Sequence, residues 1–196
     1  MGVSDNNNKR QSNALVDAAT GGDRQAFITL VKRLEPRVAA TIYGFLGDCP
    51  EAEDVGQETF IRLFRSLARF RGESSIETYV TRIAINLSLN ELKRQKHRSN
   101  IFTSLGSEFE TNTGLMGDAT DAQDTRQLVQ RALSQLPDKF RAVLVLRLMD
   151  GYSVKETADI LEIPAGTVLS RLARAQIKFR QAIKKLEEKA YVPQTS

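Results

Sequence analysis

The chain has no tryptophan, one cysteine (Cys49) and one histidine (His97) among its 196 residues. One cysteine can form neither an intramolecular disulfide nor a thiolate metal cluster, and a chain without disulfides suits a reducing compartment. His97 stands in a basic run, where a solvated side chain is expected rather than a ligand or a base. No apolar run approaches the length of a membrane span. The opening MGVSDNNNKRQSN has no apolar signal-peptide core. There is no Gly-rich phosphate loop before a Lys-Ser/Thr pair and no metal-ligand spacing, so no catalytic residue, cofactor or metal is expected. Strand signals and internal repeats are missing too.

What is present is a helical pattern and an uneven charge distribution. Hydrophobic residues make up 41% of the chain, enough for packed cores, and the formal net charge is only +4. Residues 82–98 hold Arg82, Lys93, Arg94, Lys96 and Arg98 against Glu91 alone. Residues 99–125 hold Glu108, Glu110, Asp118, Asp121 and Asp124 and no basic residue. After Pro137 the balance turns basic again. Two basic modules on an acidic tether are hidden by the bulk charge.

The expected fold class is all-α, with two small helical domains joined by a flexible linker. Residues 1–11 are polar and expected to be disordered. Ser12 is placed to cap a short helix ending at Gly21-Gly22, and Asp23 to cap the next. Pro36 should kink or break that second helix, which Gly47 ends. Pro50 and the acids after it suit a helix N-terminus, and Val55, Phe60, Leu63, Phe64 and Leu67 supply the apolar positions. Ser74-Ser75-Ile76-Glu77 reads as a capping box opening a helix to about Arg98, buried through Ile76, Val80, Ile83, Ala84, Leu87 and Leu92. The first domain is 12–98. Residues 99–120 lack periodicity and read as the linker; a gap that long favours two domains. The second domain is 121–188, with a tail at 189–196. In its middle helix Phe140, Val143, Leu144, Leu146 and Leu148 are apolar, and Gly151 closes it. The sequence after Leu186 is short, so no appended regulatory domain is expected.

Residues 136–174, LPDKFRAVLVLRLMDGYSVKETADILEIPAGTVLSRLAR, scan as a helix-turn-helix. Ser153-Val154-Lys155-Glu156 is a capping box, with Ala158 and Leu161 spaced for a buried face. Pro164 stops the first helix, because the residue before proline is pushed out of the α region. Val168, Leu172, Ala175, Phe179 and Ile183 form the buried stripe of the second. Thr167, Ser170, Arg171 and Arg174 lie opposite, and hydroxyls with guanidinium groups suit a major groove. A helical hairpin with a solvated basic face fits the periodicity alone.

Two stretches together identify a family. AEDVGQETFIRLFRSLARFRGESSIETYVTRIAINLSLNELKR resembles region 2 of bacterial extracytoplasmic-function (ECF) sigma factors, and the helix-turn-helix stretch resembles their region 4. The resemblance covers about residues 12–98 and 125–186. It implies a non-enzymatic subunit that binds core RNA polymerase, recognises and melts promoters, and starts transcription, often in a stress response. Asp54, Gln57 and Glu58 would dock on the β′ clamp helices; as residues alone they also fit a solvated acidic helix start. Phe70, Arg71, Gly72, Glu73 and Ser74 match the loop that captures a base flipped from the minus-ten element. Asn86 falls beside the melted strand, Asn90 lies one turn on, and Lys93 and Arg94 can take phosphates. Tyr79 stands where the family usually has Trp and is read as packing. Arg147 matches a phosphate contact near the minus-thirty-five element, which Thr167, Ser170, Arg171 and Arg174 would read. Leu169 and Ala173 depart from the basic and aromatic residues common there, which puts the DNA sequence read in doubt. Further implied partners are the polymerase β flap, promoter DNA as duplex and melted strand, and an anti-sigma factor. The implied location is the cytoplasm, with an anti-sigma factor able to hold the chain at a membrane it does not itself enter. A stand-alone helix-turn-helix regulator is the alternative, and it leaves residues 50–98 unexplained.

Overall fold

The computed structural model describes residues 3–104 and 121–190. The middle of the acidic stretch and the last six residues lie outside the described residues. Eight α-helices run α1 (Val3–Thr20), α2 (Arg24–Leu46), α3 (Pro50–Leu67), α4 (Ile76–Ser104), α5 (Asp121–Ser134), α6 (Asp138–Leu144), α7 (Val154–Leu161) and α8 (Ala165–Ala190), with a π-helical segment (Val145–Met149) continuing α6. No strand is found among the described residues. The all-α expectation holds, and the two predicted modules are α1–α4 and α5–α8.

Local chemistry sets most boundaries. Asp23 caps α2, its Oδ1 accepting from the amides of Gln25 and Ala26. Gly47 ends α2 in the left-handed region, φ 78°, where a Cβ is penalised. Pro50 opens α3 with Glu51 and Glu53 in its first turn. The Ser153 capping box is complete: Ser153 N–H donates to Glu156 Oε2 at 2.8 Å, and Glu156 N–H to Ser153 Oγ at 3.2 Å.

Several expectations need correction. Helix α1 starts at Val3, so residues 3–11 are helical; Ser12 does not cap, because its buried hydroxyl donates to Glu77 Oε1 at 2.7 Å. Helix α2 passes through Pro36 unbroken. Pro36 faces solvent, where water can satisfy the carbonyl it orphans. The cap of α4 is Ser75, whose Oγ accepts from Thr78 N–H at 3.1 Å; Glu77 is therefore outside any box and is free to hold Ser12. Helix α4 runs on to Ser104, six residues into the expected linker. Phe64 and Leu148 are exposed rather than core, at 63% and 55%. In α7 the fully buried positions are Thr157 and Ile160, with Ala158 and Leu161 at the edge.

Apolar packing forms two clusters. One lies within α1–α4 around Leu30, Leu34, Val38, Leu63, Ile76 and Val80. The other centres on α5–α8 but draws in Phe45, Ile85 and Leu92 from α2 and α4. Helix α4 is thus buried on two sides. Ile76, Val80 and Ala84 face its own module; Ile85 and Leu92 face the second.

Candidate nucleic-acid and polymerase interfaces

The outward side of α4 carries Asn86, Asn90 and Lys93, all exposed and spaced four and three apart. This is one helical face. The loop Phe70–Ser74 precedes α4, and Asn86 stands about 15 Å along the helix from Ile76. Gly72 is left-handed, φ 70°. Arg71 and Glu73 are exposed; Phe70 is half-buried against Tyr79, ring centroids 5.2 Å apart. Tyr79 therefore packs, as expected from sequence. The basic run at the end of α4 is partly paired. Arg94 is 3.7 Å and Arg98 2.9 Å from Glu91, and Lys96 donates to Asp138 at 3.0 Å. Lys93 forms no ion pair among the described residues and keeps its charge for an anion.

At the start of α3, Asp54 and Gln57 are exposed and Glu58 half-buried. Glu58 accepts from Arg62 Nε at 2.7 Å. The acidic face therefore continues into Ile61 and Phe64, which are apolar and exposed, with Phe64 edge-on to Phe27 at 4.9 Å. Sequence periodicity placed Phe64 in the core; its exposure is what adds an apolar edge to this surface.

In the helix-turn-helix, α7 ends at Glu162, the one non-glycine residue with positive φ (54°) among the described residues. Its N–H reaches back to Ala158 carbonyl, an αL cap. The chain re-enters helix at Ala165. Val168 and Ala175 of α8 are fully buried, which fixes its rotation. Ser170 and Arg174 then face solvent, while Thr167 and Arg171 are half-buried at the flank. Leu169 lies exposed beside them at 54%. Ser170 Oγ donates to Thr167 carbonyl at 3.1 Å. Burial works against the Glu156 carboxylate, but hydrogen bonds from Ser153 prevail and hold its pKa below the ordinary value. Arg147 is half-buried and donates to Tyr152 carbonyl; it holds the corner before α7 in place.

Arg141 was not anticipated by sequence reasoning. It is 2% exposed. Its guanidinium donates to the carbonyls of Leu133, Ser134 and Phe45 at 2.7–2.9 Å. It thereby caps the C-terminus of α5 and ties that end to α2. Burial lowers its pKa.

Two helical modules, one carrying a solvent-facing basic recognition helix and the other an amide-lined helix behind a glycine loop, define a DNA-reading protein. Residues 30–98 match Sigma-70 region 2 and residues 126–179 match Sigma-70, region 4. The RNA polymerase sigma-H factor of Pseudomonas aeruginosa is 32% identical over 190 residues, covering 93% of this chain and 98% of that one. The ECF RNA polymerase sigma-E factor of Escherichia coli K12 is 36% identical over 172 residues, covering 83% and 88%. The solved structure of CnrH in complex with the cytosolic domain of CnrY superposes with TM-score 0.68 at 22% identity, over 89% of this chain and 98% of that one. The sigma factor RpoE of Bartonella quintana, solved with the anti-sigma factor NepR, gives 0.63 at 22% identity, over 81% and 96%. Both share the fold. The chain belongs to the sigma-70 family of RNA polymerase sigma factors, in its ECF group. It serves transcription initiation, and the stand-alone regulator reading falls away because region 2 is present in full order with region 4.

Proposed function

We propose that the chain performs its sigma function through three surfaces. The first is Asp54, Gln57 and Glu58 on α3, extended by Ile61 and Phe64, which docks on the polymerase clamp. The second is the Phe70–Ser74 loop with Asn86, Asn90, Lys93 and Arg94, which holds the melted minus-ten strand. A glycine turn exposes backbone groups to a flipped base, and an Asn amide both donates and accepts at a base edge. The third is Thr167, Ser170, Arg171 and Arg174 on α8, together with Arg147 before α7, which reads minus-thirty-five duplex. The domain limits are 12–98 and 121–188, with α1 and α4 extending past them. The β flap is the expected second polymerase contact. No helix among the described residues is long and apolar enough to cross a membrane, which supports a cytoplasmic role. Two solved neighbours are complexes with a cytosolic domain and an anti-sigma factor, which supports an anti-sigma partner here. Chemistry is left to the polymerase, and no catalytic group is assigned.

The observation that carries this reading is the exposed row Asn86–Asn90–Lys93 on α4, whose Ile76, Val80 and Ala84 are packed into the core of its own module. The polymerase surface is the most direct to test. Asp54→Lys with Glu58→Lys should abolish co-purification with core polymerase while leaving helicity intact. Undiminished binding by the double variant would remove α3 from the interface.

A further inference from the structure

We infer that Leu169 reads the methyl group of a thymine in the minus-thirty-five duplex, so that this chain selects one position of that element by apolar contact rather than by hydrogen bonds. This inference rests on the α8 surface proposed above and names the base that part of it prefers.

The outward side of α8 combines two features. Residues 165–186 include Arg171, Arg174, Lys178, Arg180, Lys184 and Lys185 and no acid, which suits the phosphates that line a groove. Within this basic helix runs an apolar row. Leu169, Ala173 and Ile177 follow at four-residue steps and all are exposed, Leu169 at 54% and Ile177 at 52%. Such steps keep side chains on one face. A single exposed leucine needs no explanation, but an apolar row on a basic recognition helix does. Val168 and Ala175 are fully buried, so the helix cannot roll to bring Leu169 under cover. The exposed residues next to Leu169 are short. A Cβ on Gly166 would meet nothing within 4 Å, and the Ser170 hydroxyl donates to its own helix, to Thr167 carbonyl at 3.1 Å. Leu169 is thus the longest exposed side chain in the first two turns, Arg171 lying half-buried at the flank.

Base chemistry selects what such a side chain can meet. In the major groove thymine alone presents a methyl group; guanine and adenine present acceptors there, and adenine and cytosine an amino donor. Packing Leu169 on a thymine methyl takes two apolar groups out of water together. Packing it on another base edge strips water from a donor or an acceptor and returns no hydrogen bond. The preference therefore has an attractive and a repulsive part. Ala173, one turn on, is short enough to let this face close on the bases. Leu169 and Arg174 are five residues apart, about 7.5 Å along the axis. With the helix lying in the groove, the thymine should fall about two base-pair steps from the group that Arg174 takes.

Deoxyuracil tests this directly, because it differs from thymine by the methyl group alone and keeps every hydrogen-bonding edge. The holoenzyme, core polymerase with the full chain, first selects its minus-thirty-five element from a library randomised over that region. Each thymine of the selected element is then replaced by deoxyuracil in turn. One replacement should weaken promoter binding by about fourfold, the factor for burying one such carbon. Holoenzyme carrying Leu169→Ala should bind the thymine and uracil duplexes equally at that position. A parent indifferent to every uracil replacement overturns the inference, and that arm needs no variant to fold. A Leu169→Ala chain that keeps the full uracil penalty overturns it as well. Loss of transcription by Leu169→Ala on all elements alike, with the parent blind to the methyl, overturns it and gives the row to a protein partner. Arg174→Ala separates this inference from the surface beneath it. A response to Arg174→Ala with indifference to uracil leaves α8 as a DNA reader and removes only Leu169, whereas no response to either removes α8 itself.

Discussion

At the residue scale, the chemistry concentrates in arginines with opposite duties. Arg141 is structural: one guanidinium satisfies three carbonyls that α5 and α2 leave open. Arg141→Met keeps the bulk and strands those acceptors, and is expected to destabilise the fold by about 2–4 kcal/mol, read by urea unfolding. Arg141→Lys should rescue little, since a single ammonium cannot fork to carbonyls set apart. Arg174 is the reverse case, exposed and unsupported. If it reads a base, Arg174→Ala should cost about 1–3 kcal/mol and relax preference at one or two positions of the minus-thirty-five element. A uniform loss across duplex variants, with the salt slope flattened by roughly one, would instead make it a phosphate contact. Both outcomes are measurable with holoenzyme on a panel of duplexes.

At the element scale, what could be read from sequence was what local rules decide. The capping box at Ser153, the Asp23 cap, the Pro50 start and the stripe of α8 depend on residues within one or two turns of each other, and all appear as expected. Two of the misreadings have long-range causes. Ser12 looked like a cap, but Glu77, 65 residues away, takes its hydroxyl. Helix α4 looked like a helix with one broad apolar stripe. Its Thr81, Ile85 and Ser88 are in fact buried because a second module lies there, and no periodicity announces a partner. Family resemblance supplied the candidate site residues, while their surroundings could not be read from it: Glu58 is tied to Arg62, and Arg147 to Tyr152. Pro36 is the clearest test of element physics. It sits inside α2 on the solvent side, so Pro36→Ala should restore a backbone hydrogen bond and raise stability by about 1–3 kcal/mol, seen as a higher Tm. No change would mean that α2 already absorbs the proline without strain.

At the scale of the whole molecule, the joint between modules holds a titratable carboxyl. Burial pushes the Asp150 carboxyl up to about 6, against the pull of the Thr41 hydroxyl and of Arg37. Arg37 on α2, Tyr152 beside it, Arg147 on the π-helical segment and Glu156 on α7 are the other charged or titratable groups around this corner. Thr41 has one proton for two acceptors, Asp150 at 2.7 Å and its own helix's Arg37 carbonyl at 3.0 Å. A protonated Asp150 can donate instead and satisfy both. Because the buried pKa exceeds the ordinary value of 3.8, the contribution of Asp150 to stability is fully present below that value and is lost as pH rises through about 6. Asp150→Asn keeps donor and acceptor without the charge, so its stability relative to the parent should rise across that window. A flat difference between parent and variant from about pH 4 to 8 would mean that Asp150 does not titrate there.

The shared apolar cluster has a consequence for synthesis. Phe45 and Ile85 belong to the first module but are covered by residues of the second, Val145 and Leu146 among them. Ribosomes extend a chain at about 5–20 residues per second, so the 60 positions from Ile85 to Val145 take about 3–12 seconds to make. During that interval region 2 can complete its own core while a greasy seat on α2 and α4 stays open to water. The nascent half-protein is thus a transient client for any holdase at the tunnel exit, and truncation between α4 and α6 should yield a fragment that folds yet clings to chaperones.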